Sequence, residues 1–476
     1  MAINTVNYDD IERFVLNKIK PSKSEYEILF NAFEKIRKIL EQVMIERGVK
    51  AEITLQGSIA HDTWLAGDRD LDVFVLYPGE WSVEKVRSLG FEIILEAAKR
   101  IGKYELRYAE HPYVRVIVNG VEADIVPGLL VSKPSEIKTS VDRTRFHTEY
   151  INSVLTPDMK DQVRLLKKFM KTIGVYGAEI KTRGFSGYAV ELLIAVYRNF
   201  RNTILEASKW KPPVFVNTLG DDVDRNKVFR LLTKKYPDSA IYMPDPVDPE
   251  RNVTANVSAK SLATFILASR CYLRNPSIGF FTEEETIDVF DVNTLFKALE
   301  NRCIIILEYN LDEKLPPDVI WGEAFRVKDR LCKLLRTLNI EIIDADAWTN
   351  DSSTVIIAVE FPECELPPYK TYEGPYTWLE ENRVWSFVKK HIDRGIGPWI
   401  GENGSLRAIS RRERDIITVL RTRLSEYSIS PHLRKTMPSI LRLDEDVAKK
   451  LLGEGAGKWL LNYVMKTPKW MEMCVS

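Results

Sequence analysis

Gly57-Ser58-Ile59-Ala60-His61-Asp62-Thr63-Trp64-Leu65-Ala66-Gly67-Asp68-Arg69-Asp70-Leu71-Asp72-Val73-Phe74-Val75 is the stretch whose reading decides the fold. A Gly-Ser turn is followed by two carboxylates, Asp70 and Asp72, separated by one residue, and they open an apolar, β-branched run that reads as a strand. Side chains alternate faces along a strand, so Asp70 and Asp72 point the same way, with Phe74 and Leu76 continuing that face. Two carboxylates held side by side repel unless a cation sits between them. The fitting ion is Mg2+, a hard cation that takes oxygen ligands and accompanies substrate phosphates. Gly57-Ser58 falls between a predicted strand (51–56) and a predicted short helix, where backbone N–H groups and a hydroxyl can meet phosphate oxygens. A phosphate-cradling turn beside a metal-holding Asp pair is the apparatus of nucleotidyl transfer.

Upstream, Ser22-Lys23-Ser24-Glu25 has capping-box spacing, and Tyr26, Leu29, Phe30, Phe33, Ile36, Leu40 and Val43 follow at helical period until Gly48. Downstream, runs over 113–118 and 121–126 flank Asn119-Gly120, the strongest short hairpin signal. A two-residue turn there places Arg115 opposite Asp124. Asp124 then stands on a strand among Val121, Ala123 and Ile125, an awkward place for an unpaired charge. It is read as the third metal carboxylate or as the partner of Arg115, and the two roles are compatible. A mixed sheet backed by helices is expected for the first domain, 1–150.

Residues 151–275 read as mostly helical. Thr156-Pro157 makes a cap and first turn, with an apolar face of Val163, Leu166, Phe169 and Met170 interspersed with Lys167, Lys168 and Lys171. Ser186 and Ser258 read as caps of further helices, and the proline-rich 244–253 as an ordered turn or loop. Residues 276–476 alternate strand-like runs (303–309, 340–345, 354–361) with helices such as 318–338, an α+β region. Arg407, Arg411, Arg412, Arg414, Arg421 and Arg423 read as a basic helical stretch followed by Arg434 and Lys435. At three- and four-residue steps Arg407, Arg411 and Arg414 share one helical face and are assigned to RNA binding. A solvated helix balanced by Glu413 and Asp415 is the competing reading.

At 476 residues the length suggests about three domains. The 68 Lys and Arg balance the 68 Asp and Glu, which argues against a chain that simply coats nucleic acid but leaves room for a basic stripe. The five cysteines (Cys271, Cys303, Cys332, Cys364, Cys474) form no C-x-x-C pair. Zinc is therefore not expected, and a reducing, cytoplasmic setting is. No apolar run is long enough to span a bilayer.

Longer strings are more specific than the Asp pair. Arg107-Tyr108-Ala109-Glu110-His111-Pro112-Tyr113, Val141-Asp142-Arg143-Thr144-x-Phe146-His147, Tyr176-Gly177-Ala178-Glu179, Arg183-Gly184-Phe185-Ser186-Gly187-Tyr188 and Asp245-Pro246-Val247-Asp248-x-x-Arg251-Asn252-Val253 are the clearest. With Gly57-Ser58, Asp70-x-Asp72 and Asp124, the chain resembles the archaeal, class I CCA-adding enzymes (tRNA nucleotidyltransferases) of the DNA polymerase β-like superfamily. The likeness is strong over about 30–281 and looser to the end. The resemblance implies a multidomain α+β protein. Its parts would be a polymerase β-like nucleotidyltransferase head, a helical central domain, and an α+β C-terminal body and tail that bind tRNA.

The activity implied is template-independent addition of C, C and A to tRNA 3′ ends from CTP and ATP, with release of pyrophosphate, by two-metal-ion transfer. Asp70, Asp72 and Asp124 would hold Mg2+. Gly57, Ser58, Lys167 and Tyr176 would hold the triphosphate, and His147 and Arg251 would lie near the incoming nucleotide, with Arg251 reading the base edge. The resemblance also favours a homodimer. One departure concerns His61, where the family often has Arg. A neutral imidazole grips phosphate less well, so triphosphate affinity is expected to fall as pH rises through the His range. Competing structural readings are a salt bridge from Arg251 to Asp245 or Asp248, a packing role for Tyr176, and a structural role for His111. Tyr376 and Trp399 are candidates for stacking on a terminal base, with core packing as the competing and preferred reading. The alternative functions are a poly(A) polymerase-like RNA nucleotidyltransferase and a non-catalytic RNA-binding protein with a transferase fold.

Overall fold

Local signals fix the first elements. In the computed structural model, helix α1 (Tyr8–Ile19) precedes α2 (Lys23–Glu46), which Ser22 caps. The Ser22 hydroxyl accepts from the Glu25 N–H, and the Glu25 carboxylate accepts from the Ser22 N–H at 2.8 Å, so the capping box forms as its spacing predicts. The structure describes residues 8–108, 112–220, 222–282, 289–426, 433 and 436–475. Glu110, His111, Arg434 and Lys435 lie outside them. The chain divides into two compact units, Met1–Glu284 with Thr467–Ser476, and Glu285–Lys466.

In the first unit, β1 (Glu52–Gln56) leads into the short helix α3 (Gly57–His61) and then β2 (Asp70–Pro78). Helices α4 (Val83–Lys85) and α5 (Phe91–Ile101) follow, then β3 (Tyr104–Tyr108), β4 (Pro112–Val118) and β5 (Val121–Leu130). The sheet order is β1-β2-β5-β4-β3, with β2 and β5 parallel and the other neighbours antiparallel, a mixed sheet as expected. Asn119 and Gly120 both take positive φ (53° and 76°), and Arg115 pairs with Asp124 in the register counted from the two-residue turn. Leu71, Val73, Val75 and Tyr77 of β2 join Ala123 and Ile125 of β5 in a core with α2 and α5. Alternation therefore turns Asp70, Asp72, Glu122 and Asp124 to the opposite face.

The rest of the unit is mainly helical: α6 (Ser140–Val154), α7 (Pro157–Thr172), α8 (Gly187–Tyr197), α9 (Phe200–Ala207), α10 (Arg225–Lys235) and α11 (Ala259–Arg274). Thr156, Ser186 and Ser258 cap α7, α8 and α11. The 244–253 segment is an ordered turn closed by a Pro244–Asn252 bridge. Buried Asn252 pins it, accepting from the N–H groups of Met243 and Thr254 and donating to the Ile241 carbonyl.

The second unit holds a four-stranded antiparallel sheet and a three-stranded one. The larger sheet contains the strands Cys303–Asn310 and Thr354–Phe361, together with Asp344–Thr349 and Ser439–Arg442. Ile305 and Leu307 pack on the helix Pro317–Thr337, while Ile304 and Ile306 face helices Glu445–Gly453 and Gly457–Met465. Both faces are covered, which is why this strand reads as an unbroken apolar run.

Three expectations need correction. The strand expected over 340–345 starts at Asp344, because the turn that closes the preceding helix takes up Ile340. Asn339 takes φ 53° and the Ile340 N–H closes the helix end on the Leu335 carbonyl at 3.0 Å. The basic stretch is not one helix. Ser405–Arg411 is the central strand of the smaller sheet, Arg412 and Arg414 follow in a loop, and the helix begins at Ile416. The reducing setting expected from the scattered cysteines calls for no disulfides, yet four of the five form them, Cys271–Cys474 in the first unit and Cys303–Cys364 in the second, leaving Cys332 free. Such bonds also persist inside cells of hyperthermophiles, so they do not decide the compartment.

Candidate active site

Asp70 and Asp72 share a face by strand alternation, and Asp72 pairs with Asp124 across the parallel β2–β5 contact. Adjacent strands run about 4.8 Å apart, so register partners on one face stand side by side. Crowding has an electrostatic signature. Burial, then the charges of Asp124 and Asp70, push the Asp72 carboxyl up to about 6 against the pull of Arg115 and His61. Burial also raises Asp70, with Arg115 opposing and Glu122, Asp68 and Asp124 adding to it. Arg115 is the resident counter-charge. Its Nε and Nη2 donate to the two Asp124 oxygens at 2.7 and 2.8 Å, and its Nη1 donates to Glu122 at 3.0 Å. Among the described residues no three His, Cys, Asp or Glu side chains already stand close enough to hold a metal ion. The donor set still fits a hard divalent cation, with oxygen-only ligands, surplus negative charge and only a monovalent guanidinium to offset it.

The Gly57-Ser58 turn lies against this pair. Gly57 takes φ +69°, and a Cβ there would collide with Asp72 Oδ2, so glycine alone permits the approach. Ser58 accepts the Thr63 N–H on its carbonyl at 2.9 Å, tying the turn to the segment behind it. Lys167, on α7, is only 2 % exposed and donates to the Thr63 carbonyl and hydroxyl at 3.0 Å each. Burial pulls its ammonium down, opposed chiefly by Glu191, whose carboxylate lies 3.7 Å away. Tyr176 stands beside it. A Cβ on Gly187 would lie 3.1 Å from the Tyr176 hydroxyl and 4.0 Å from Lys167 Nζ, so the bare glycine leaves room between α8 and these two donors. Burial raises the Tyr176 phenol, keeping it a donor.

His61 departs from its expected role. Its Nδ1 faces both Glu191 oxygens at 3.0 Å, and its Nε2 faces the Thr148 hydroxyl at 2.9 Å, so both ring nitrogens are engaged within the protein. Thr148 in turn donates to Gln56. The ring is buried behind the turn, with neither nitrogen left for a phosphate.

A second cluster gathers around Asp245, which is wholly buried. His147 Nε2 lies 2.8 Å and Arg251 Nη1 2.9 Å from Asp245 Oδ2, and the Tyr188 hydroxyl lies 3.1 Å from Oδ1. Burial would raise Asp245, yet His147, the Val247 N–H and Arg251 together hold it below the usual carboxylate range. Burial holds His147 below the usual imidazole range, and its ring stacks on Tyr188 with centroids 4.0 Å apart. The competing salt bridge of Arg251 is thus the one to Asp245; Asp248 binds Arg143 at 3.3 Å. The fold brings His147 and Arg251 together on a carboxylate that the sequence displayed only as part of a loop motif.

Arg407, Arg411 and Arg414 belong to the second unit. Arg407 pairs with Glu373 at 3.5 Å and Arg414 with Glu365 at 2.5 Å, while Arg411 is exposed. Tyr376 is exposed and stacks on Trp378 with centroids 5.1 Å apart. Sequence reasoning missed Glu191, Thr63 and Thr148. The one available signal was a lone acid inside the apolar run Val190-Glu191-Leu192-Leu193-Ile194.

Comparison with known proteins gives three matching families. Residues 34–147 match the nucleotidyltransferase domain, 161–282 the second domain of tRNA nucleotidyltransferase, and 300–443 the C-terminal domain of the CCA-adding enzyme. The chain is 36 % identical over 462 residues to a CCA-adding enzyme of Saccharolobus solfataricus, covering 97 % of this chain and 100 % of that one. It is 34 % identical over 465 residues to a CCA-adding enzyme of Sulfolobus acidocaldarius, covering 97 % and 99 %. Among solved structures, Cid1 poly(U) polymerase aligns with 59 % of this chain and all of its own at 16 % identity and a TM-score of 0.44.

Proposed function

The chain belongs to the family of CCA-adding enzymes, and from that premise we propose that it adds C, C and A, without a template, to the 3′ end of tRNA from CTP and ATP. The observation that carries the reading is Asp72 set opposite Asp124, with the Gly57 turn pressed against its carboxylate. Asp70, Asp72 and Asp124 would hold divalent ions, Mg2+ being the fitting one, which when bound lower the pKa of the attacking 3′-hydroxyl and offset phosphate charge. The Ser58 hydroxyl, the Lys167 ammonium and the Tyr176 phenol supply donors for the triphosphate, and Gly187 leaves the room. His147 and Arg251, fixed by Asp245, would orient the base, with the free edge of the guanidinium fork as the reading group. Arg115 would yield its hold on Asp124 as cations enter. Pyrophosphate leaves toward the Lys167 side.

The proposed division is a head over 1–150, a nucleotide-recognising neck over 151–275 and a tRNA-binding body and tail over 276–476. The proposed setting is a cytoplasmic homodimer; among the described residues no helix is long and apolar enough to cross a membrane. Incubation with tRNA lacking its last three nucleotides, Mg2+, CTP and ATP, followed by sequencing of the product, tests the activity. Addition that stops after C, C and A is expected. Continued addition of A would favour a poly(A) polymerase-like enzyme, and bound but unextended tRNA a non-catalytic RNA-binding protein.

A further inference from the structure

Glu191 is a buried carboxylate, 2 % exposed, on the inner face of α8. It follows Gly187 by four residues, so the glycine that opens the space beside Tyr176 and Lys167 and the acid behind them lie on one helix face. Three donors converge on it. The Thr63 hydroxyl donates to Oε1, His61 Nδ1 stands 3.0 Å from both oxygens, and Lys167 Nζ is 3.7 Å away. Thr63 links this anion to the phosphate turn, its N–H donating to the Ser58 carbonyl and its hydroxyl accepting from Lys167. An ammonium has three N–H donors, and Thr63 takes two of those of Lys167.

We propose that Glu191 is the positioning residue of the triphosphate cradle, a buried anion that keeps Lys167 charged and aimed and locks His61 behind the Gly57-Ser58 turn. The proposal rests on the nucleotidyl-transfer reading above and adds to it a residue that never touches the nucleotide. A buried ammonium without an anion loses its proton, and a neutral amine grips a triphosphate less well. The other charges that bear on Lys167 are Asp68 from the loop before β2, and Lys171 and Arg164 from its own helix. Of these only Asp68 is an anion, and Lys171 holds it at 2.8 Å. Glu191 is therefore the principal counter-charge.

The test is steady-state C addition with CTP varied, on wild type, Glu191→Gln and Glu191→Asp, at about pH 6 and about pH 9, which bracket the range a destabilised lysine enters. Glu191→Gln keeps the shape and removes the charge. Its KM for CTP is expected to rise about tenfold at the higher pH and less at the lower, with kcat within about twofold. Glu191→Asp, which restores the charge, is expected to recover part of the loss. An unchanged KM in Glu191→Gln, or a rise equal at both pH values and equal in Glu191→Asp, overturns the proposal. Should Glu191→Gln not fold, Thr63→Val decides instead. It removes the hydroxyl between Lys167 and Glu191, and a higher KM with kcat held supports the proposal, whereas an unchanged KM overturns it. Wild-type protein that incorporates nothing would overturn the transfer reading, and this proposal with it; wild type that incorporates beside an unaffected Glu191→Gln overturns the proposal alone.

Discussion

The first unit contains two kinds of anionic centre, and they are built on opposite electrostatic terms. On the face of β2 and β5, Asp70, Asp72, Asp124 and Glu122 share one guanidinium, and Asp72 is pushed up to about 6. Elsewhere in the same unit, Asp245 and Glu191 are more deeply buried yet held below the usual carboxylate range, each by several donors. Burial alone does not set the outcome; the count of donors against charges does. A surplus of negative charge at an accessible rim calls for a cation from outside the protein. A buried anion with its donors in place instead orients the cations around it.

The sharpest way to break this contrast is Asp72→Asn. Nucleotide incorporation is expected to fall by about 10³-fold or more, with tRNA binding by gel shift retained. The same change should stabilise the protein in chelator. The folded-state pKa of Asp72, about 6, lies above the usual 3.8, so the folded chain holds its proton longer than the unfolded one. Stability is then fully present below the lower value and is lost as pH rises through the upper one. In EDTA, the Tm of wild type should drop relative to Asp72→Asn between about pH 4 and about pH 6. Equal profiles would show that burial and the neighbouring carboxylates do not hold Asp72 above its usual range.

Asp245→Asn probes the other side. It leaves His147 and Arg251 without their shared anion, so KM for CTP and ATP should rise about tenfold and discrimination between them should relax. Breaking a buried pair also costs about 3 kcal/mol of stability, opposite in sign to the Asp72 change in chelator. Calorimetry of the two variants side by side reads that sign directly. A stabilised Asp245→Asn would contradict the donor count.

How far each centre could be read from sequence follows from the distance its partners span along the chain. Asp70 and Asp72 are two residues apart on a strand, and Arg115 and Asp124 flank a two-residue turn. Period and turn chemistry determine both, and the expected register is the one observed. Caps at Ser22, Thr156, Ser186 and Ser258 act over three residues and were equally legible. Glu191 and His61 are 130 residues apart, and His147 and Asp245 are 98 apart. No local pattern encodes such a meeting, nor the pairing of Cys271 with Cys474 across 203 residues. The basic stretch misled for a different reason. A step of four from Arg407 to Arg411 keeps one face on a helix and on a strand alike, so spacing could not separate them. The buried alternation of Leu406 and Ala408 marks the strand.

Arg115→Gln sharpens the rim without removing a carboxylate. The guanidinium holds both Asp124 oxygens, so it competes with an entering cation while masking repulsion in its absence. Losing it should tighten Mn2+ binding, followed by electron paramagnetic resonance, by about threefold, and should lower the Tm in chelator by a few degrees. Weaker Mn2+ binding together with an unchanged Tm would mean that Arg115 supports the carboxylates rather than competing for them.

The smallest effect expected is in the second unit, where the same donor count applies to arginines. Arg407 and Arg414 each have a carboxylate partner, whereas Arg411, at the exposed end of its strand, has no ion pair among the described residues. An arginine already neutralised by an acid gains less from a phosphate than one facing water, because the old pair must be given up. Arg411→Ala should therefore weaken tRNA binding about threefold and lower the salt slope of the binding constant by about one. Arg414→Ala should change both by less, since Glu365 would be left behind as a repelling charge only where RNA approaches it. Neither should alter KM for CTP. Filter binding across a salt series gives the slopes, and an Arg414→Ala slope as large as that of Arg411→Ala would show that the Glu365 pair does not hold against RNA.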